Sequence, residues 1–271
     1  MTVQQAIGLG ALQGATEFLP ISSSGHLVLA QNAIPGLDGP LLLFDVVVHL
    51  GTLVAILIAF RVRVLRLIHA LASYLPGRSA ADPVDRRWLW LIAAGSVPTA
   101  LIGLSLKDVT EHLLGHPAPV GAALLLTALI LIVSERVGRR TRSAGEIGWL
   151  DALLIGTAQG LAVIPGISRS GATVAAALGR NIEGGAAVEF SLLLSIPAIL
   201  GAGALLILEH GASLAASDLL PLGIGFLPAL GTGLLALQAL TWAVPRRKLL
   251  PFAIYCGVVG FGAMVWGGWI G

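Results

Sequence analysis

The chain has 271 residues, of which 56% are hydrophobic and 11% charged, with 16 Lys and Arg against 14 Asp and Glu. A soluble domain carries about 25% charged residues, so this composition, with a mean hydropathy of +0.91, excludes an ordinary soluble enzyme and points to an integral membrane protein. The single cysteine, Cys256, excludes an internal disulfide framework.

The N-terminus lacks a basic segment, and its first apolar stretch runs into QGATEFLPISSSGH (Gln13 to His26), so no cleavable signal peptide is expected. A helix broken by Pro20 and three serines strands backbone N–H and C=O groups unless it is buried in protein or lines a wet cavity. A re-entrant helix-loop-helix hairpin is therefore expected over Val3 to Ala33. Leu41 to Phe60 follows as a span, close to the about 20 apolar residues that cross about 30 Å of hydrocarbon. Six arginines fill the Arg61 to Arg87 loop, and Trp88 to Leu106 crosses next. Lys107 to Pro117 leads to a short span, Pro119 to Ser134, which could begin one or two residues earlier, and then to four arginines in Arg136 to Arg142. Leu150 to Leu178 repeats the broken pattern and is expected to form a second hairpin. Val188 to Leu208, Leu219 to Ala243 and Leu250 to Ile270 complete six spans, with three basic residues in Pro245 to Lys248.

With Arg180, these basic connections hold 14 of the 16 Lys and Arg, which assigns them to the cytoplasmic side. Gly39, Lys107 to Pro117 and Glu209 to Asp218 then lie outside. The first hairpin accordingly enters from the periplasmic or extracellular face and the second from the cytoplasmic face.

QGLAVIPGISRSGA (Gln159 to Ala172) repeats the first motif at an offset of 146 residues. Gly10/Gly156, Gln13/Gln159, Gly14/Gly160, Ile21/Ile167, Ser22/Ser168, Ser24/Ser170, Gly25/Gly171 and Val28/Val174 are identical pairs, and the register continues from Phe44 over Phe190. The expected fold is one all-α membrane domain over 1–271, built from repeat one (1–143) and an inverted repeat two (144–271). Its two hairpins, about 3–33 and 150–178, meet near the midplane.

The loops have diverged in a complementary way. The first supplies Glu17, Ser22, Ser23, Ser24 and His26, and the second Ser168, Arg169, Ser170 and Thr173. Each loop feeds a helix, whose start offers unpaired N–H groups and the positive end of a dipole to an anion. Two such starts and a guanidinium that matches phosphate bidentately suggest a substrate with more than one phosphate. Plainer roles stand beside this one: the serines as N-caps, Glu17 and Arg169 as a structural ion pair, and His26 as a satisfied structural histidine. A charge at membrane depth is nonetheless costly enough to mark Glu17 and Arg169 as functional candidates. Asp45, His49, Glu189 and Ser195 either line the same cavity or join helices through hydrogen bonds. His112 and His116, with Asp108 and Glu111, are more readily solvated than metal-binding.

TEFLPISSSGH (Thr16 to His26) and PGISRSGAT (Pro165 to Thr173), in this order in a polytopic chain, resemble the two signature motifs of the bacterial undecaprenyl-diphosphate phosphatase family associated with bacitracin resistance. The resemblance covers essentially the whole chain. It implies hydrolysis of undecaprenyl diphosphate to the monophosphate carrier reused in peptidoglycan synthesis, assisted by a divalent cation, Mg²⁺ or Ca²⁺, in the bacterial cytoplasmic membrane. Its motif residues fall on Glu17, Ser22, Ser23, His26, Ser168, Arg169, Ser170 and Thr173. Some members carry a second acid where this chain has Gln13, so a metal site of Glu17 and Gln13 departs from a two-carboxylate one. Ser23 is the candidate nucleophile, with His26 as general base or acid and Glu17 orienting His26 or holding the metal. Water activated by His26 or Glu17 is the rival nucleophile. The implied partners are an isoprenyl diphosphate lipid and the bilayer, with no nucleic acid; a homo-oligomer is compatible with the pattern. A transporter or flippase of an anionic isoprenyl lipid or small anion is the alternative function, since inverted repeats with broken helices also build carriers.

Overall fold

A computed structural model describes residues 1–37, 41–210 and 219–270. The described residues form twelve α-helices and one short 3₁₀ turn, with no strand beyond a single isolated bridge. Helices α1 (Val3–Glu17) and α2 (Ser23–Ala33) make the first hairpin, and α8 (Trp149–Leu161) and α9 (Arg169–Gly179) the second. With 15, 11, 13 and 11 residues, none reaches across about 30 Å of hydrocarbon at about 1.5 Å per residue.

Six helices are long and apolar enough to cross a membrane: α3 (Leu41–Ala59), α5 (Pro83–Ser105), α7 (Pro117–Arg136), α10 (Gly184–His210), α11 (Leu219–Ala243) and α12 (Leu250–Ile270). Helix α7 begins two residues before the expected Pro119, with Pro117 at its first position, where a missing N–H costs nothing. Helix α5 begins at Pro83 rather than Trp88, because Asp82 caps Val84 N at 2.7 Å. Two further helices occupy stretches expected as loops. Helix α4 (Arg61–Ala72) presents Val62, Leu65, Ile68 and Leu71 outward, the first two between its arginines, and α6 (Lys107–Leu113) is short. The arginines hide α4 from a search for apolar runs, but its apolar residues recur every third position, as in an interfacial helix.

Helix α1 packs against α11 and α8 against α5, while α12 lies along α7. Close approach explains the paired glycines: a Cβ at Gly10 would meet the Gly225 carbonyl oxygen at 2.2 Å, and one at Gly156 the Gly95 oxygen at 2.0 Å. Only glycine fits at either crossing.

The basic connections gather at one end. Arg87 and Trp88 donate to the carbonyls of Gly145 (3.2 Å) and Ala144 (3.0 Å), and Arg140 donates to Val244 (3.2 Å). The mouth of the second hairpin lies there too, where Arg142 Nη2 (2.6 Å) and Arg180 Nε (2.7 Å) grip Asp151. Burial raises the Asp151 pKa, but hydrogen bonds from Arg142, Arg180 and the Gly148 N–H outweigh it and hold the group down at about 2. The first hairpin opens at the other end: Asn32 donates to the Leu114 carbonyl at 3.2 Å, and Lys107 reaches Glu209 at 2.7 Å. Gly39 and most of the Glu209 to Asp218 connection lie outside the described residues.

Candidate active site

The two hairpin loops are tied together by side chains that also start their helices. Ser22 caps α2 by accepting Gly25 N (3.3 Å), and Ser168 caps α9 by accepting Gly171 N (3.1 Å). Ser22 also accepts Gly166 N at 3.1 Å and donates to the Ile167 carbonyl at 3.3 Å. These bonds hold Ser22 at φ 69°, a conformation non-glycine residues avoid unless their surroundings fix it. From the second loop, Ser170 donates to the Leu19 carbonyl at 3.2 Å. Thr127 of α7 braces the seam, accepting Ser168 N (3.0 Å) and donating to Gly166 O (2.8 Å).

Glu17, the last residue of α1, collects the polar groups at this seam. Ser23 Oγ donates to its Oε2 at 2.5 Å, and Gln13 Nε2 donates to the same oxygen at 2.7 Å. Arg169, the first residue of α9, donates through Nη2 to Oε1. His49 of α3 brings Nε2 to 3.6 Å from Oε2 while its Nδ1 bonds the Asp45 carbonyl at 2.6 Å. The Glu17 side chain is 3% exposed and that of Arg169 21%, so the carboxylate is enclosed while the guanidinium keeps an open face. The ion pair that stood as the plainer reading of Glu17 and Arg169 is therefore formed, and the candidate nucleophile Ser23 hydrogen-bonds the same carboxylate.

His26 lies apart from this cluster. Its Nδ1 contacts the Ser22 carbonyl at 2.8 Å and its Nε2 the Tyr255 hydroxyl at 2.9 Å. The Ser23 proton points at Glu17, not at His26, and Glu17 orients Ser23 and Arg169 rather than the imidazole. Ser24 is only half-buried and sits 3.4 Å from Ser22 Oγ. Thr173 bonds back to the Arg169 carbonyl at 2.8 Å and lines a narrow cavity with Glu17, Arg169, Ser191 and Ser195.

Sequence reasoning passed over three residues: Thr127, Ser191 and Tyr255. Ser191 has a buried hydroxyl with no hydrogen-bond partner, and its signal was the repeat itself, because it occupies the position of Asp45 at the 146-residue offset. Ser195 likewise matches His49. Glu189 belongs elsewhere, paired with Arg63 at 2.9 Å at the basic end. Asp45 accepts Gln31 Nε2 at 2.9 Å.

Among the described residues no three His, Cys, Asp or Glu side chains cluster as a metal site; His112 and His116 pack their rings at 5.0 Å. One observation at the seam does suit a cation. Gln13 Oε1 is buried without a hydrogen-bond partner, while its amide nitrogen is bound to Glu17. A hard divalent ion prefers such oxygens.

Residues 6–262 match the model of the family described as bacitracin resistance protein BacA. The chain is 44% identical over 264 residues to an undecaprenyl-diphosphatase of Carboxydothermus hydrogenoformans, covering 96% of each. It is 41% identical to one of Syntrophotalea carbinolica (96% of this chain, 97% of the relative) and 42% identical to one of Desulforapulum autotrophicum (98% and 99%).

Proposed function

The chain belongs to the bacitracin resistance protein BacA family, and from that premise we infer that the seam between its hairpins is where it hydrolyses undecaprenyl diphosphate to undecaprenyl phosphate and inorganic phosphate. The observation that carries this is one carboxylate shared by Ser23 and Arg169, each the first residue of a helix. Phosphoryl transfer is mostly positioning and charge neutralisation, and this arrangement supplies both.

Phosphate oxygens take Arg169 from Glu17, because a guanidinium forks equally well onto phosphate. Glu17, relieved of its cation, becomes a stronger base for the hydroxyl it already holds. Ser23 Oγ attacks the terminal phosphorus as its proton passes to Glu17 Oε2, and the bridging P–O bond breaks to release the lipid monophosphate. Water then cleaves the phosphoserine, giving inorganic phosphate and returning a proton to Ser23. Ser22, Ser24, Ser168, Ser170 and Thr173 keep the helix starts in register around the phosphates. Glu17 and Gln13 would hold a divalent cation, Mg²⁺ or Ca²⁺, which when bound would neutralise diphosphate oxygens.

The protein is placed in the bacterial cytoplasmic membrane with the Arg-rich end in the cytoplasm and the site facing outward, an orientation supported by the charge distribution. It works as part of lipid-carrier recycling for the cell wall, and bacitracin resistance follows from the family. The repeats are inverted in this arrangement, which is supported by hairpins that open at opposite ends.

The test is phosphate release by purified, detergent-solubilised protein from a short-chain isoprenyl diphosphate, with and without a chelator. Release that the chelator suppresses is expected. No release, with passage of the lipid or of phosphate across reconstituted vesicles, would favour the transporter instead. Cysteines at Ser79 and Glu111, in a background lacking Cys256, should label from opposite sides; labelling from one side would reject the orientation.

A further inference from the structure

Helix α12 carries none of the motif residues, yet two of its consecutive side chains touch the first hairpin. Cys256 Sγ lies 3.7 Å from the Pro20 carbonyl. Tyr255 hydrogen-bonds His26 Nε2 at 2.9 Å and stacks on the imidazole, with centroids 5.5 Å apart and planes 9° from parallel. The contact joins residues 229 apart in the chain.

The chemistry of this contact is constrained. A carbonyl oxygen only accepts, so the His26 Nδ1 that faces Ser22 O at 2.8 Å carries a proton. In the neutral ring Nε2 is then the lone-pair nitrogen and accepts from the tyrosine hydroxyl. The stack fixes the ring plane and the two hydrogen bonds fix its rotation, leaving His26 7% exposed while Tyr255 is 42% exposed.

We propose that Tyr255 is a positioning residue of the phosphatase site, whose ring and hydroxyl set the plane of His26 and cap its Nε2 until a substrate oxygen or water takes the hydroxyl's place. The proposal rests on the seam as the phosphatase site and on His26 as a general acid or base there, the role that the motif resemblance gives it. It gives that histidine a place beyond the Ser23–Glu17 pair: Nε2 becomes available to a phosphate or to the water of the second step only by exchange with Tyr255.

Tyr255→Phe keeps the stack and removes the hydroxyl. Its kcat is expected to fall about fivefold, the scale of one net hydrogen bond, with KM little changed. Tyr255→Leu, which also removes the ring, should lose more. In a His26→Gln background Tyr255→Phe should cost nothing further, because residues that act through one contact are not additive. In ¹⁵N spectra of histidine-labelled protein, the His26 Nε2 resonance, identified by its loss in His26→Gln, should move in Tyr255→Phe. An equal loss in both backgrounds, an unchanged kcat or an unmoved resonance would overturn the proposal. Wild-type turnover in His26→Gln would also overturn it, while leaving the Ser23, Glu17 and Arg169 assignment standing, since that assignment fails only if Ser23 and Arg169 variants stay active.

Discussion

The two hairpins share a frame and differ in cargo. Two of the identical pairs do the same work in both copies: Ser22 and Ser168 cap their helices, and Gly10 and Gly156 admit a carbonyl from a crossing helix. At several positions where they differ at the seam, at least one side holds a charged or nucleophilic group. At the 146-residue offset Glu17 faces Val163, Ser23 faces Arg169, and His26 faces Ala172. The difference teaches that the capping serines and crossing glycines form a shared scaffold, and that the proposed reactive groups Glu17, Ser23 and Arg169 sit at positions where identity is lost.

The sharpest way to break this comparison is Ser23→Ala. If the divergent position carries the nucleophile, turnover should fall by roughly a thousandfold or more, as when an attacking group is removed, while a diphosphate analogue still binds. Retention of a tenth of wild-type turnover by the folded variant would reduce Ser23 to a phosphate-positioning residue and hand the attack to water. The facing residue comes next. Arg169→Lys should slow turnover by about 10²- to 10³-fold, the scale of one preorganised donor, because a point charge does not reproduce a planar fork. Near-normal rates would make Arg169 a structural partner of Glu17 only.

Smaller effects probe the frame. Ser22→Ala and Ser168→Ala should each lower unfolding stability by about 1 kcal/mol, with Ser22→Ala costing more because Ser22 also bridges the loops. Thermal unfolding in detergent measures both; a loss confined to one copy would contradict a shared capping role. The mildest test concerns the hairpin mouths. Asp151 is clamped by Arg142 and Arg180, whereas its counterpart Gln5 merely pairs with Thr2. With the folded pKa lowered to about 2, the clamp contributes fully above the ordinary aspartate pKa of about 4 and is lost as pH falls from there towards 2. The midpoint of unfolding should drop over that window in the parent protein and stay flatter in Asp151→Asn.

Much of this was legible in the sequence because apolar length and the 146-residue repeat are strong signals. All six spans appear within a few residues of their expected limits, and Glu17, Ser23 and Arg169 converge as a charge at membrane depth suggested. Other parts were hidden for physical reasons. Helix α4 opens with three arginines among its apolar residues, so it reads as a charged loop until its three-residue spacing is noticed. The partner of His26 could not be inferred, since Tyr255 lies on a helix with no motif and meets the histidine only through tertiary packing. Nothing local distinguishes a serine that caps from one that attacks: Ser22 and Ser23 are adjacent, and only the fold turns one toward the second loop and the other toward Glu17.

The seam where the loops meet also bears on ancestry. Two half-length chains like the first copy, paired about a twofold axis, would set Glu17 against the other chain's serine, and two like the second would set Arg169 against a valine, because Glu17 and Arg169 occupy different repeat positions. The mixed contact of Glu17 with Arg169 is out of reach for such a homodimer, whichever copy it resembled. An ancestor resembling either copy alone would thus lack this contact, which needs the two loops to differ, whereas the capping serines are the same in both copies.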